Sequence, residues 1–157
     1  MLLPLFQSLE SSAIGEAIRN SLWLFPVVEA FHLMALAVIG GAVLVVDFRL
    51  LGLGLRSQSA AKLAHDAQPW VVGSLVLMII SGSALFLSEA IKCYYSFAFW
   101  TKMTALLLAI LFTFTVRRWV VIAPDNRFPA SVHKAVALTS LALWATVGWG
   151  GRWIGFS

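Results

Sequence analysis

The sequence has few charged residues and a single cysteine. Only 11% of its 157 residues are charged and 61% are apolar, whereas about 25% of the residues in soluble proteins are charged. A soluble fold of this length has too little interior to bury so much apolar surface. Because Cys93 is the one cysteine, an internal disulfide and a Cys-x-x-Cys site are excluded. The composition therefore excludes a soluble globular domain and a disulfide-stabilised secreted domain.

The chain also lacks the spacing patterns of several kinds of site. It has no His-x-x-x-His, His-x-x-Glu or methionine-rich cluster of the kinds that bind zinc or copper. A Ser-His-Asp pattern, a phosphate loop and a dinucleotide fingerprint are absent too. The net charge is +4, but the basic residues are spread along the chain without a nucleic-acid-reading pattern. We expect no nucleic-acid partner and interpret these charges as flanks of membrane spans.

Four apolar runs are long enough to cross a bilayer, whose hydrocarbon core of roughly 30 Å takes about 20 helical residues. They cover approximately residues 22–48, 70–89, 97–116 and 132–153. The short connections predict that helices adjacent in sequence pack antiparallel. The predicted fold class is all-α, with residues 1–157 forming one integral membrane domain, a four-transmembrane-helix up-down bundle. Residues 1–20 have apolar positions at helical spacing, which predicts a short amphipathic helix on the membrane surface.

The basic residues predict how the bundle is oriented. Most of them lie at the connections between spans one and two and between spans three and four: Arg49, Arg56, Lys62, Arg117, Arg118, Arg127 and Lys134. The positive-inside rule places these connections in the cytoplasm and both termini outside it.

Ionisable residues inside the spans are the first candidates for chemistry, because they are costly in a membrane and usually face the bundle interior. Glu29 and His32 are three residues apart in span one, and Lys102 lies in span three. At 1.5 Å per residue all three lie about 8 to 15 Å from the outer ends of their spans. One interpretation is a buried ion pair between Glu29 and Lys102 with His32 nearby. The other is a cofactor, proton or quinone site.

A further ion pair is expected near the inner end of span one. Asp47 has Arg49, Arg117 and Arg118 as candidate partners. A pair at the membrane boundary lies in partial water and contributes about 0 to 1 kcal/mol. We expect it to set the register of the helices.

The other two histidines lie at the inner end. His65 precedes the second apolar run and His133 opens the fourth, so both fall at one depth on helices that are diagonal partners in an up-down bundle. Two imidazoles that face each other across a bundle can ligate a haem iron from both sides. The alternative is that each is an interfacial residue at the start of a helix.

These residues support three hypotheses about function. The first is a small b-type cytochrome that binds haem b with His65 and His133 as axial ligands and His32 as the competing ligand. Its propionates would pair with basic residues at the inner end: Arg117, Arg118, Arg56 and Lys62. The partners would be the lipid bilayer and a quinone or redox protein, with a homo-oligomer as a further possibility. The others are a membrane oxidoreductase with its own substrate and a cofactor-free membrane subunit or transport helper.

Three stretches carry a resemblance to a known family. They are Glu29-Ala-Phe-His32 followed by Asp47-Phe-Arg49-Leu-Leu-Gly52, then Phe99-Trp100-Thr-Lys102, and finally Gly150-Gly151-Arg152-Trp153-Ile154. From about residue 22 onward the chain resembles a bacterial family of uncharacterised four-helix membrane proteins. That family is similar to the copper-resistance D domain and to HemJ-type protoporphyrinogen oxidases.

The resemblance implies a histidine in the first helix and a lysine opening the third, which directs attention to His32 and Lys102. It also implies haem b, because the HemJ-type relatives bind it, and a place in the bacterial inner (plasma) membrane. The Asn-Glu-Pro-type signature in the fourth helix of those oxidases is absent here, which argues against porphyrinogen oxidation. The copper-resistance relatives imply no ligand set that this chain matches.

Overall fold

The protein is a bundle of four long helices. The computed structural model describes residues 3–55, 57–124 and 126–154. Spans one, two and four are α3 (Leu24–Leu51), α4 (Ala60–Ser88) and α8 (Ala130–Ile154). The third span, Phe97–Ile122, consists of α6 (Phe97–Phe112), a π-helical turn (Thr113–Arg117) and α7 (Arg118–Ile122). All four are long and apolar enough to cross a membrane, which confirms the predicted all-α, four-span architecture.

The two ends of the bundle differ. The terminal end is where α3 begins and α8 ends, and the loop end carries the connections that lead into α4 and α8. At the loop end, α3 stops at Gly52, whose φ of +77° is left-handed and favours glycine. The Ser59 hydroxyl then caps α4 by accepting a hydrogen bond from the Lys62 amide at 3.2 Å.

The helix of the second span, α4, begins earlier than the apolar run predicts. The run starts at Trp70, whereas α4 starts at Ala60 and continues through Pro69. A proline inside a helix removes a backbone hydrogen bond, but Pro69 is exposed and lies within the loop-end part of α4. The cap at Ser59 sets the start of the helix, and the apolar run marks only its membrane portion.

Large apolar side chains cover the outside of the bundle. Ile80 is 64% exposed, Leu107 59% and Leu138 58%. Exposed apolar surface on this scale is unfavourable in water and suits hydrocarbon. The inside is packed around fully buried residues of three helices: Ile39, Val43, Ala109 and Val147.

The spans do not contact one another evenly. α3 packs along both α4 and α8, and α6 packs along α8. The third span approaches α4 mainly through α7, at the loop end. A cavity remains beside this contact, between α4 and the third span.

The N-terminal segment differs from the single helix that we expect on the membrane surface. It forms two helices, α1 (Leu3–Glu10) and α2 (Ala13–Asn20), docked on the terminal end of the bundle. Gly15 packs against the Leu87 carbonyl so closely that a side chain there would clash. Glu10 accepts a hydrogen bond from the Ile91 amide at 2.6 Å and pairs with Arg19 at 3.0 Å. These contacts fix the segment to the bundle, with Phe6 and Ile18 buried and Leu5 and Ile14 exposed.

The single cysteine is buried in α5 (Ala90–Tyr95), the short helix between spans two and three. Burial, together with the nearby Glu89 carboxylate, raises the pKa of the Cys93 thiol to about 11. Because the thiolate is the reactive form, Cys93 stays unreactive at neutral pH.

A buried ion pair joins spans one and three in the loop-end half of the bundle. The Arg117 Nε atom donates to Asp47 Oδ1 at 2.8 Å, and Arg117 Nη2 donates to the Val43 carbonyl at 3.3 Å. Arg117 is thus one of the three partners predicted for Asp47. The expected exposure to partial water is wrong, because Asp47 has no exposed surface and Arg117 is only 6% exposed.

Arg117 is the last residue of the π-helical turn and lies inside the bundle, whereas its neighbour Arg118 is exposed. Adjacent residues of a helix point about 100° apart, so one of the two arginines faces inward and the other outward. The Asp47 Oδ2 atom and the Ser140 hydroxyl are buried as well.

We predict that Arg117→Leu lowers the free energy of unfolding by about 3 to 5 kcal/mol, because it leaves the Asp47 carboxylate buried without a counter-charge. The double variant Asp47→Leu with Arg117→Leu should lose clearly less, because no buried charge remains. Unfolding by detergent titration measures the free energy of unfolding of the double variant and of the single variants Arg117→Leu and Asp47→Leu. A double-variant loss equal to the sum of the two single losses would show that the residues do not interact.

Candidate functional site

His32 is buried on α3 toward the terminal end, and its orientation is fixed by α4. Its Nδ1 atom lies 2.9 Å from the Ser81 hydroxyl oxygen. That hydroxyl donates its own hydrogen to the Leu77 carbonyl at 2.7 Å, so toward the imidazole it can only accept. This arrangement favours the neutral tautomer with its proton on Nδ1 and a lone pair on Nε2.

Lys102 faces that lone pair from the third span. The Ser96 hydroxyl caps α6 by accepting from the Phe99 amide at 3.3 Å, and Lys102 follows about one and a half turns later, by helix geometry. Its Nζ atom lies 3.5 Å from His32 Nε2. The ammonium can donate to the imidazole, whereas two charged groups at this separation would repel each other in a medium of low dielectric constant. The pair is therefore suited to carry a single positive charge, which is one proton more than a neutral amine and a neutral imidazole hold.

Glycines on the other two helices make room for this pair. A Cβ atom at Gly82 of α4 would lie 3.1 Å from His32 Cε1, and one at Gly150 of α8 would lie 3.0 Å from Lys102 Cβ. At Gly151 it would lie 3.3 Å from Lys102 Nζ. All four long helices thus contribute to one polar site, which we call the His–Lys site: His32, Ser81, Gly82, Lys102, Gly150 and Gly151.

Sequence reasoning brought His32 and Lys102 together by depth but did not assign Ser81 or the three glycines to this site. The Ser81-Gly82-Ser83 run inside an apolar span was the available signal. Which glycine meets which side chain depends on helix rotation, and that is set by packing.

Glu29 lies outside the site. Its side chain is exposed, and the ion pairs formed by the described residues include none between Glu29 and Lys102. Three residues along a helix differ by about 60° in direction. That offset places His32 in the interior of the bundle and Glu29 on its exposed surface. His32, and not Glu29, is therefore the neighbour of Lys102.

The two loop-end histidines are in different surroundings. The His65 side chain is 87% exposed and lies 3.6 Å from the Asp66 carboxylate. His133 is half-buried, with its ring centroid 6.5 Å from that of Phe128. Among the interactions of the described residues, none joins the two imidazoles. Their role as an axial pair stays a prediction.

The arginines expected near a haem at the loop end also lie in different surroundings. Arg117 is turned inward to Asp47, whereas Arg118 is exposed and lines a cavity of about 260 Å³ together with His65. Lys62 is exposed on α4, and Arg56 lies outside the described residues. The structure also shows no group of three or more His, Cys, Asp or Glu side chains that could hold a metal ion, within the ranges it describes.

The fold and the site define a class: a four-span helical membrane protein with a buried histidine–lysine pair where its spans meet. The chain belongs to the family of unknown function DUF6644, whose model matches residues 10–157. No curated protein and no solved structure matches the chain.

We predict that Gly150→Ala destabilises the fold while Gly148→Ala does not. The added methyl group at position 150 meets Lys102 Cβ at 3.0 Å, whereas at position 148 nothing lies within 4 Å. Overpacking costs about 1 to 3 kcal/mol, and the unhindered helical replacement stabilises by about 0.4 to 1 kcal/mol. Thermal unfolding followed by circular dichroism compares the two variants. Equal melting temperatures would show that the close contact at Gly150 is absent.

Proposed function

We propose that this chain is a small membrane-embedded redox protein that binds haem b through His32. The observation that carries the proposal is the buried His32 imidazole, whose Nδ1 is held by Ser81 at 2.9 Å and whose Nε2 is directed at Lys102. The His65 and His133 pair is the less favoured alternative, because the His65 side chain is 87% exposed.

The donor set at the His–Lys site fits an iron porphyrin. Histidines that ligate metals commonly donate their other ring N–H to a neighbouring oxygen, which fixes the ring and its tautomer, and Ser81 supplies that oxygen here. Lys102 would be the second nitrogen ligand in its neutral form, or a cation for a propionate in its charged form. Iron bound at this site would supply one-electron chemistry.

The helices pack closely at the His–Lys site, where Lys102 Nζ occupies the position next to His32 Nε2. The cavity of about 260 Å³ lined by Arg118 and a second cavity lined by Arg127 do not include His32 or Lys102. Binding of haem would therefore require Lys102 to move aside on its flexible stem and the helices to separate around the macrocycle, while Ser81 keeps the imidazole oriented.

The resemblance to the copper-resistance D domain and to HemJ-type oxidases supports the same residues. Those relatives share a first-helix histidine and a lysine that opens the third helix, and in this fold the corresponding pair is 3.5 Å apart. Because the fourth-helix signature of the oxidases is missing, we propose electron transfer with a quinone or a partner protein and not porphyrinogen oxidation.

The location of the protein is part of the proposal. The basic residues at the loop end favour an orientation with that end in the cytoplasm and both termini outside it. The membrane would be the bacterial inner membrane. The terminal end, with the His–Lys site, would then lie in the outer half of the bilayer.

Reduced-minus-oxidised absorption spectra of protein purified from haem-supplied cells test the proposal. We expect a b-type signal in the wild type, in His65→Ala and in His133→Ala, and its loss in His32→Gly. Added imidazole should restore the signal of His32→Gly, which separates a lost ligand from a lost fold. A colourless wild type, or a signal that depends on His65 and His133 but survives in His32→Gly, would contradict the assignment.

A further inference from the structure

The gap between α4 and the third span forms a cavity at the loop end. We call it the acyl cavity; its volume is about 260 Å³. Small apolar residues of α4 make one wall, and the π-helical turn and α7 make the other. The wall-forming residues on α4 include Ala61, Ala64, Ala67 and Val71. An apolar space of this shape suits a hydrocarbon chain.

A second cavity adjoins it. The two share Arg118 and Ile122, and the second, which we call the head cavity, is also lined by Arg127, Thr115 and Trp119. The Arg127 guanidinium lies 5.5 Å from the centre of the Trp119 ring. Stacking on an aromatic face holds a guanidinium in place without neutralising it. The head cavity is therefore a cationic space next to an apolar one.

Arg118 and Arg127 are available for a ligand. Among the described residues neither forms an ion pair with a carboxylate, in contrast to Arg117. Arg117 is buried against Asp47, whereas Arg118 is exposed and lines both cavities. Two arginines can bind a phosphate through several charge-assisted hydrogen bonds.

We propose that these adjoining cavities bind one anionic phospholipid from the leaflet at the loop end. Its phosphate lies between Arg118 and Arg127, and one acyl chain enters the acyl cavity between α4 and the third span. Charge complementarity selects an anionic headgroup, because the lining of the head cavity carries two positive charges and no carboxylate among the described residues. Basic pockets between spans are a recognised mode of anionic-lipid binding. The site is separate from the His–Lys site and does not depend on haem.

Native mass spectrometry of the detergent-solubilised full chain tests the site. The probes are phosphatidylglycerol and phosphatidylcholine with identical palmitoyl and oleoyl chains, and free palmitate. We expect the wild type to retain phosphatidylglycerol, and Arg118→Gln to weaken its binding at least about tenfold, the effect expected from one lost charge-assisted hydrogen bond. Phosphatidylcholine and palmitate should bind clearly more weakly than phosphatidylglycerol.

Two further variants provide the controls. Lys134→Gln removes one exposed positive charge at the same end of the bundle from a residue that lines neither cavity, and it should bind phosphatidylglycerol as the wild type does. Ala64→Leu fills the acyl cavity and should weaken binding with Arg118 intact; its melting temperature reports whether it is folded.

Three outcomes would overturn the proposal. Equal losses in Arg118→Gln and Lys134→Gln would mean that only the general surface charge attracts the lipid. Equal binding of phosphatidylcholine would exclude headgroup recognition. Palmitate binding as tightly as phosphatidylglycerol would make the ligand a fatty acid.

Discussion

A charge inside an apolar bundle has to be neutralised by another side chain, and the structure depends on this constraint at the Asp47–Arg117 pair. Water is absent from the hydrocarbon region, so an unpaired carboxylate there is costly. Asp47 and Arg117 are 70 positions apart in sequence, yet they meet at 2.8 Å. The contact joins span one to span three. Arg118, the next residue, is exposed, so two adjacent arginines provide an internal counter-charge and an external cation.

The His–Lys site is different, because it joins two basic groups and its positive charge is shared through a hydrogen bond and not neutralised. A neutral imidazole can accept a hydrogen bond from an ammonium, so the two need only one positive charge between them. Ser81 determines which imidazole nitrogen faces Lys102, and Gly82, Gly150 and Gly151 let the helix backbones approach. A structural role would be met by any hydrogen-bonded polar pair. An imidazole with a fixed tautomer and an accessible lone pair is, in addition, what a metal-binding cofactor requires.

The sequence was sufficient for the four spans, because span length and apolar content follow from bilayer thickness. It also brought His32 to the level of Lys102, since depth can be counted along a helix. The rotation of each helix about its own axis decides which side chains face the interior, and it cannot be counted along the sequence in this way. For that reason Glu29 was expected beside Lys102 although its side chain is exposed, and Asp47 was expected in partial water although it is buried. Helix rotation also decides which of the two adjacent arginines enters the bundle. The docking of α1 and α2 depends on Gly15 and Glu10 contacts with the end of α4 and with α5, which helical periodicity does not report.

The central claim is that Ser81 holds the His32 imidazole with its Nε2 lone pair directed at Lys102. Nitrogen-15 NMR of histidine-labelled, haem-free protein in lipid nanodiscs tests it directly, because the chain has only three histidines and His32→Ala assigns the relevant signals. At neutral pH we predict a neutral ring at His32, with the proton on Nδ1 and Nε2 bare. A proton on Nε2 with a bare Nδ1, or a doubly protonated ring, would contradict the account.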